Sequence, residues 1–154
     1  MIEPHTILYH KGVEPIKEEL DEEMYYFICK TLSKNKYNHY EVSNFAKEGF
    51  ESRHNLTYWN NESYYGFGVS ASGYIENIRY TNTKNLIAYL EGNTNPARDI
   101  LSKQDRMDNE VMVGLRKIKG IHIESFEKKY EVKMESVYPI KPLLKNGDLK
   151  IKKG

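Results

Sequence analysis

The clearest periodic signal lies in the first quarter of the chain. Leu20, Met24, Phe27, Ile28, Thr31 and Leu32 recur at the three- and four-residue spacing that puts side chains on one stripe of a helix. Pro15 suits the first turn, and Glu18, Glu19, Asp21 and Glu22 favour the N-terminal half, where the helix dipole attracts negative charge. The pattern predicts a helix over residues 16–34, with Cys29 off its apolar stripe and partly exposed. Upstream, "TILYH" at 6–10 reads as a strand end, since Pro4 argues against helix. Residues 37–45, "YNHYEVSNF", alternate β-formers and read as one strand, broken by Lys47, Glu48 and Gly49. Residues 52–61 fit a short helix, 65–72 a strand thinned by glycine, and 74–80 a hairpin or loop-and-strand around Glu76 and Asn77. A further short helix is expected over 83–90, capped by Thr81 or Asn82 and ended at Gly92.

"GNTNPARD", at 92–99, has the Gly, Asn and Pro content of a linker. Beyond it, Met107, Val111, Leu115 and Ile118 predict a helix that stops at Gly120. Ile123, Phe126 and Tyr130 predict a second, and residues 134–138 start a third that Pro139 and Pro142 kink or split. Asn146 and Gly147 form a turn, after which "DLKIKK" alternates as a strand. The expected fold class is α+β. Residues 1–92 form one region, 93–98 a linker, and 99–154 a small helical, winged-helix-like module ending in a strand.

Composition narrows the chemistry. The chain has 154 residues, a formal net charge of +1 and a single cysteine. One thiol makes no intrachain disulfide and cannot hold an iron–sulfur cluster, which takes three or four thiolates; a reducing cytoplasm is the natural setting. No apolar run approaches the ~20 residues that span a bilayer. Residues 103–154 carry thirteen Lys and Arg against eight Asp and Glu. That local excess is the one footing for a nucleic-acid partner, and the interspersed Glu124, Glu127, Glu131 and Glu135 argue for an ordinary solvated face instead.

The stretch 51–80 gathers aromatic residues, glycines, His54 and Trp59, the only tryptophan. Gly66 and Gly68 fit either a floor against which something flat lies or tight packing of sheet on helix. The aromatics fit a stacking wall for a planar ligand, with Arg53 or Arg79 available for carboxylates, or else an ordinary core. His54 is either a metal or haem ligand or a hydrogen-bonded structural residue. No HExxH, CxxC or phosphate-binding loop is present, and no hydrolytic triad is legible.

Three consecutive segments carry a resemblance: "YEVSNFA" at 40–46, "ESRHNLTYW" at 51–59 and "YYGFGVSASGY" at 64–74. In order and spacing they resemble the oxygen-independent coproporphyrinogen III oxidase family of radical S-adenosylmethionine proteins. His54, Asn55, Tyr58 and Trp59 match the His-Asn-x-x-Tyr-Trp element of its HemW branch, the haem chaperones. The likeness covers residues 2–90 well and extends to the rest as a pattern of helices and a terminal strand.

The resemblance implies that residues 1–92 are the C-terminal part of a partial (β/α) barrel. Family members bind a [4Fe–4S] cluster through a Cys-x-x-x-Cys-x-x-Cys loop, which this sequence lacks, so radical chemistry is not expected of this chain by itself. Gly66, Gly68, Ser70 and Ser72 match a segment that runs beside S-adenosylmethionine in the family. His54, with Asn55, Tyr58 and Trp59 around it, matches the element associated with haem, and His54 is the implied ligand to haem iron. The chain reads Val69-Ser70-Ala71-Ser72 where many members carry a histidine. The implied function is porphyrin or haem binding and trafficking. The expected partners are haem or a porphyrin, the N-terminal barrel half, and further copies of the chain, since an uncovered strand edge self-associates. The alternative is a non-catalytic winged-helix-like module for nucleic acid or a protein.

Overall fold

The computed structural model describes residues 4–93 and 96–152. Helices and small antiparallel sheets give the α+β class expected. The chain divides into two compact units, Met1–Glu51 and Ser52–Gly154.

The first unit contains α1 (Ile7–His10), α2 (Glu18–Lys34), β1 (Asn38–Glu41) and β2 (Asn44–Ala46). The expected strand end at 6–10 is a single helical turn. The Thr6 hydroxyl accepts a hydrogen bond from the Tyr9 N–H at 3.3 Å and closes it locally. Helix α2 follows the predicted periodicity but starts at Glu18, with Lys17 as an N-cap that makes no side-chain bond; Glu18, Glu19 and Asp21 supply the favourable charge of the first turn. No residue of α2 is buried. Leu20, Met24 and Ile28 stay about half exposed and Phe27 is 70% exposed, so its apolar stripe lies open. Cys29 is half-buried, partly exposed as expected, but it is more covered than the stripe residues Leu20, Met24, Phe27 and Ile28 rather than less.

The segment expected as one strand folds instead into the β1–β2 hairpin, with His39 opposite Phe45. The reason is local polar chemistry. The Glu41 carboxylate accepts from the Ser43 N–H and the Asn44 amide, turning the chain at Val42 and Ser43. The His39 ring stacks on Phe45 with centroids 4.2 Å apart, and Tyr25 of α2 donates to the Val42 carbonyl.

The second unit runs through α3 (Arg53–Trp59), β3 (Ser72–Ile75), β4 (Ile78–Thr81), α4 (Leu86–Leu90), β5 (Ala97–Ile100), α5 (Lys103–Gly114), α6 (Ile123–Tyr130), α7 (Met134–Val137) and α8 (Ile140–Asn146). Of the two forms expected for 74–80, the hairpin is the one present, with Glu76 in the left-handed region of its turn at φ 56°. The segment expected as a linker ends differently. Thr94 and Asn95 lie outside the described residues, and from Ala97 the chain pairs with β4 as the edge of an antiparallel β3–β4–β5 sheet, Arg79 opposite both Tyr74 and Asp99. The cap of α4 is Asn85, whose side chain accepts from the Ala88 N–H; Asn82 is used elsewhere.

A capping box of Ser102 and Asp105 starts α5. The helix stops at Gly114, a turn earlier than its apolar repeat predicts. A Cβ on Gly114 would sit 2.8 Å from Ile121 Cγ1, so the glycine lets the returning chain pack closely. Phe126, wholly buried, centres the core with Met107, Tyr130 and Met134. Pro139 separates α7 from α8, as its missing N–H requires. Pro142 is third in α8, in the first turn, where amides have no intrahelical partner, and it costs no hydrogen bond there. The expected terminal strand is absent among the described residues. A strand exists only with a paired neighbour, and no described segment pairs with residues 148–152.

Candidate functional site

Helix α3 carries the His-Asn-x-x-Tyr-Trp element. The Ser52 hydroxyl accepts from the Asn55 N–H at 3.2 Å and fixes the start of the helix. His54 and Tyr58 are four residues apart and therefore stack along one face. The His54 ring stands edge-on to Tyr58, centroids 4.7 Å apart, and Tyr58 stands edge-on to Tyr64 at 4.4 Å. His54 is exposed, and among the described residues its ring makes no hydrogen bond. Both imidazole nitrogens are thus open to an external partner. Trp59 turns away from that ladder, and the Arg116 guanidinium covers its ring at 4.5 Å. Its Nε1 is buried without a hydrogen-bond partner.

The glycine-rich segment, expected as a strand, is a loop tied down by its backbone. The Gly66 N–H donates to the Tyr80 hydroxyl at 3.0 Å, and the Gly68 N–H donates to the Tyr89 hydroxyl at 2.9 Å. The buried Asn82 amide donates to the carbonyls of both Gly66 and Gly68, at 3.1 and 2.9 Å. The Ser70 N–H donates to the Thr83 carbonyl at 2.9 Å. Gly68 adopts φ 112°, which suits glycine alone, and a Cβ on Gly66 would lie 2.2 Å from the Ser72 carbonyl oxygen. Ser70 is left-handed at φ 61°, and the Ser72 hydroxyl shares a hydrogen bond with Thr81 at 2.8 Å. The loop therefore turns its polar backbone inward and leaves Tyr65 and Phe67 outside, 70% and 85% exposed. Of the candidate residues, Gly66, Gly68 and Ser70 share this loop and Ser72 opens β3 at its end, while His54, Asn55, Tyr58 and Trp59 share α3. Tyr58 meets Tyr64, whose N–H and carbonyl pair with Tyr74 at the loop's start. Asn82, Tyr80 and Tyr89 brace the loop without any signal in local sequence pattern, because each acts from a distant position.

Beneath Tyr58 lies a cleft of about 240 Å³, with Trp59, Tyr64, Tyr74, Arg79 and Met112 in its walls. Burial raises the Tyr64 phenol above its usual pKa, so its hydroxyl stays a donor throughout the physiological range. A second depression of about 310 Å³ borders Tyr130 and Lys129. There the Tyr130 hydroxyl donates to Glu110 and to the Arg106 carbonyl, and Lys129 pairs with Glu110. Burial and the Glu110 carboxylate push the Tyr130 phenol strongly up. That network satisfies itself and holds α5 to α6.

The residues present do not fit an iron–sulfur cluster. The chain has one cysteine, and no group of three His, Cys, Asp or Glu among the described residues could hold a metal ion. A haem iron asks less, a single open imidazole, which His54 supplies. No described helix is long and apolar enough to cross a membrane.

Comparison with known proteins gives a consistent picture. No protein-family model matches the chain. It is 41% identical to the protein named heme chaperone HemW of Lactococcus lactis subsp. lactis, over 90% of this chain and 38% of that one. It is 35% identical to the heme chaperone HemW of Bacillus subtilis, over 96% of this chain and 42% of that one. The chain spans about two-fifths of the length of these curated relatives. Among solved structures, the coproporphyrinogen III oxidase HemN of Escherichia coli, described as a radical SAM enzyme, superposes with a TM-score of 0.67. The match covers 89% of this chain and 37% of that one at 16% identity, a likeness of fold.

Proposed function

We propose that this chain, which belongs to the HemW-like family and spans about two-fifths of the length of such proteins, presents a haem- or porphyrin-binding surface built on α3. One observation carries the reading: an exposed histidine, with neither ring nitrogen engaged, mounted on a ladder of aromatic rings. His54 ligates the iron, while Tyr58 holds the imidazole upright and offers a flat neighbour to the macrocycle. Asn55 and Trp59 fix the helix that carries them. The surface serves to bind haem and pass it on, in a reducing cytoplasm. The chain supplies no radical chemistry alone. In the family, the segment that Gly66, Gly68, Ser70 and Ser72 match runs beside S-adenosylmethionine. Its inward hydrogen bonds mean that its outward contribution there is shape and aromatic surface rather than donors.

Titration with hemin tests this. The native chain is expected to give a red-shifted Soret band, and His54→Ala to lose that shift or to weaken binding at least about tenfold, ~1.4 kcal/mol. A variant matching the native titration removes His54 from the site. The alternative, a nucleic-acid module on the basic C-terminal region, draws little support from the structure. Lys129, Lys133 and Lys141 are each paired with a glutamate there.

The open stripe of α2 carries a second part of the proposal, contact with further copies or with the rest of a family member. An apolar face of this kind drives association. Sedimentation velocity is expected to show oligomers growing with concentration, and Phe27→Glu to return the chain toward monomer. A native chain that stays monomeric at high concentration contradicts self-association.

A further inference from the structure

The haem ligand proposed for α3 leaves the cleft beneath Tyr58 unexplained. Four of its ten wall residues are aromatic, Arg79 is the one cation and Glu62 the one carboxylate, which accepts from the Asn60 amide at 3.1 Å. Arg79 stands mid-strand in β4, directly opposite Tyr74 in β3, so the two side chains share a face and both reach the cleft. Asp99 faces it across the ladder to β5, yet Arg79 has neither ion pair nor hydrogen bond among the described residues. Asp105 feels its charge but spends its own carboxylate on the Ser102 capping box. An unpaired guanidinium beside flat, partly desolvated rings is a receptor for a planar anion. It offers a two-pronged donor to a carboxylate, and the rings take the apolar body. The cleft, about 240 Å³, falls below the ~300–1,000 Å³ of pockets that enclose a whole ligand, so it holds an edge of a larger molecule.

We infer that this cleft receives the carboxylate-bearing edge of a planar aromatic ligand, with Arg79 pairing the carboxylate between Tyr58, Trp59 and Tyr64. Resting on the haem reading above, that edge is a propionate side of the tetrapyrrole. Tyr58 belongs both to the His54 ladder and to the cleft wall, which makes it the hinge between iron ligation and carboxylate capture.

Trp59, the only tryptophan, lines the cleft and reports on it directly. The experiment follows Trp59 emission during titration with metal-free protoporphyrin IX and with its dimethyl ester, beside the hemin titration. Protoporphyrin IX is expected to quench the native chain. Arg79→Gln is expected to weaken that binding about tenfold, with Arg79→Lys in between because it keeps charge but loses the fork. The ester, lacking carboxylates, is expected to bind weakly and to ignore both substitutions. A His54-dependent Soret shift with quenching indifferent to Arg79 overturns the cleft inference and leaves the haem reading standing. Arg79-dependent quenching with no His54-dependent Soret shift does the reverse. Failure of both porphyrin and hemin to bind overturns both.

Discussion

Replacing Phe126 with alanine is expected to cost the Ser52–Gly154 unit about 3–5 kcal/mol, the range for emptying a buried phenylalanine site. Phe126 has no exposed surface and is in ring contact with Tyr130, 4.7 Å away, and with Tyr138, 6.2 Å away. Met107 and Met134 close the remaining sides. Few residues in the unit are fully buried, so little else compensates. Stabilities of ordinary domains run to only ~5–15 kcal/mol, and the variant is left marginal. Urea unfolding measures it as a fall in midpoint with an unchanged slope. Phe67→Ala is the comparison, since an 85% exposed ring on the glycine loop should cost no more than ~0.5 kcal/mol. A Phe126→Ala midpoint close to the native one would show that this cluster does not organise the unit.

Gly66→Ala is expected to open the glycine-rich loop at a cost of about 2–4 kcal/mol, from a steric overlap and the loss of buried hydrogen bonds together. The added methyl would meet the Ser72 carbonyl oxygen at 2.2 Å and its carbon at 2.4 Å, both backbone atoms of β3. Backbone yields only by moving the strand. Relieving the contact pulls Gly66 from the Tyr80 hydroxyl and from Asn82, and Asn82 also holds Gly68. Hydrogen exchange reads the result: the amides of Gly66, Gly68 and Ser70 are expected to lose protection while those of α6 keep theirs. Asn82→Ala separates the causes. It removes the brace without the clash and should cost about 1–3 kcal/mol, the penalty for two stranded carbonyls. Retained protection at Gly68 in Gly66→Ala would mean that the loop tolerates a side chain and that its glycine has another reason.

These two sites differ in how visible they are before folding. Phe126 announces itself, because Ile123, Phe126 and Tyr130 recur at helical spacing and a helix buries one face. The same spacing made α2 legible, while α3 was expected as a short helix over 52–61 and the turn at Glu76 as either a hairpin or a loop-and-strand. Gly66 and Gly68 were legible only as special positions. A strand and a tethered loop share the same composition, and the difference lies in Asn82, Tyr80 and Tyr89, whose hydrogen bonds bridge long stretches of sequence. The turn at Val42 and Ser43, the single turn at Ile7–His10 and the early end of α5 at Gly114 were hidden for a related reason. Each is decided by one side chain bonding or packing against a neighbour, which periodicity averages away.

Sequence alone determined two things about this protein: which faces of its longer helices are apolar, because i, i+3 and i+4 spacing is a property of the chain itself, and that its solitary thiol holds no iron–sulfur cluster, because ligand count is arithmetic. The tertiary structure alone decided that His54 stands open while Trp59 is covered, that the glycine loop hides its backbone and shows its rings, and that Arg79 meets Tyr58 and Tyr64 across a cleft. Those are contacts between residues far apart in the chain, and only folding fixes their distances.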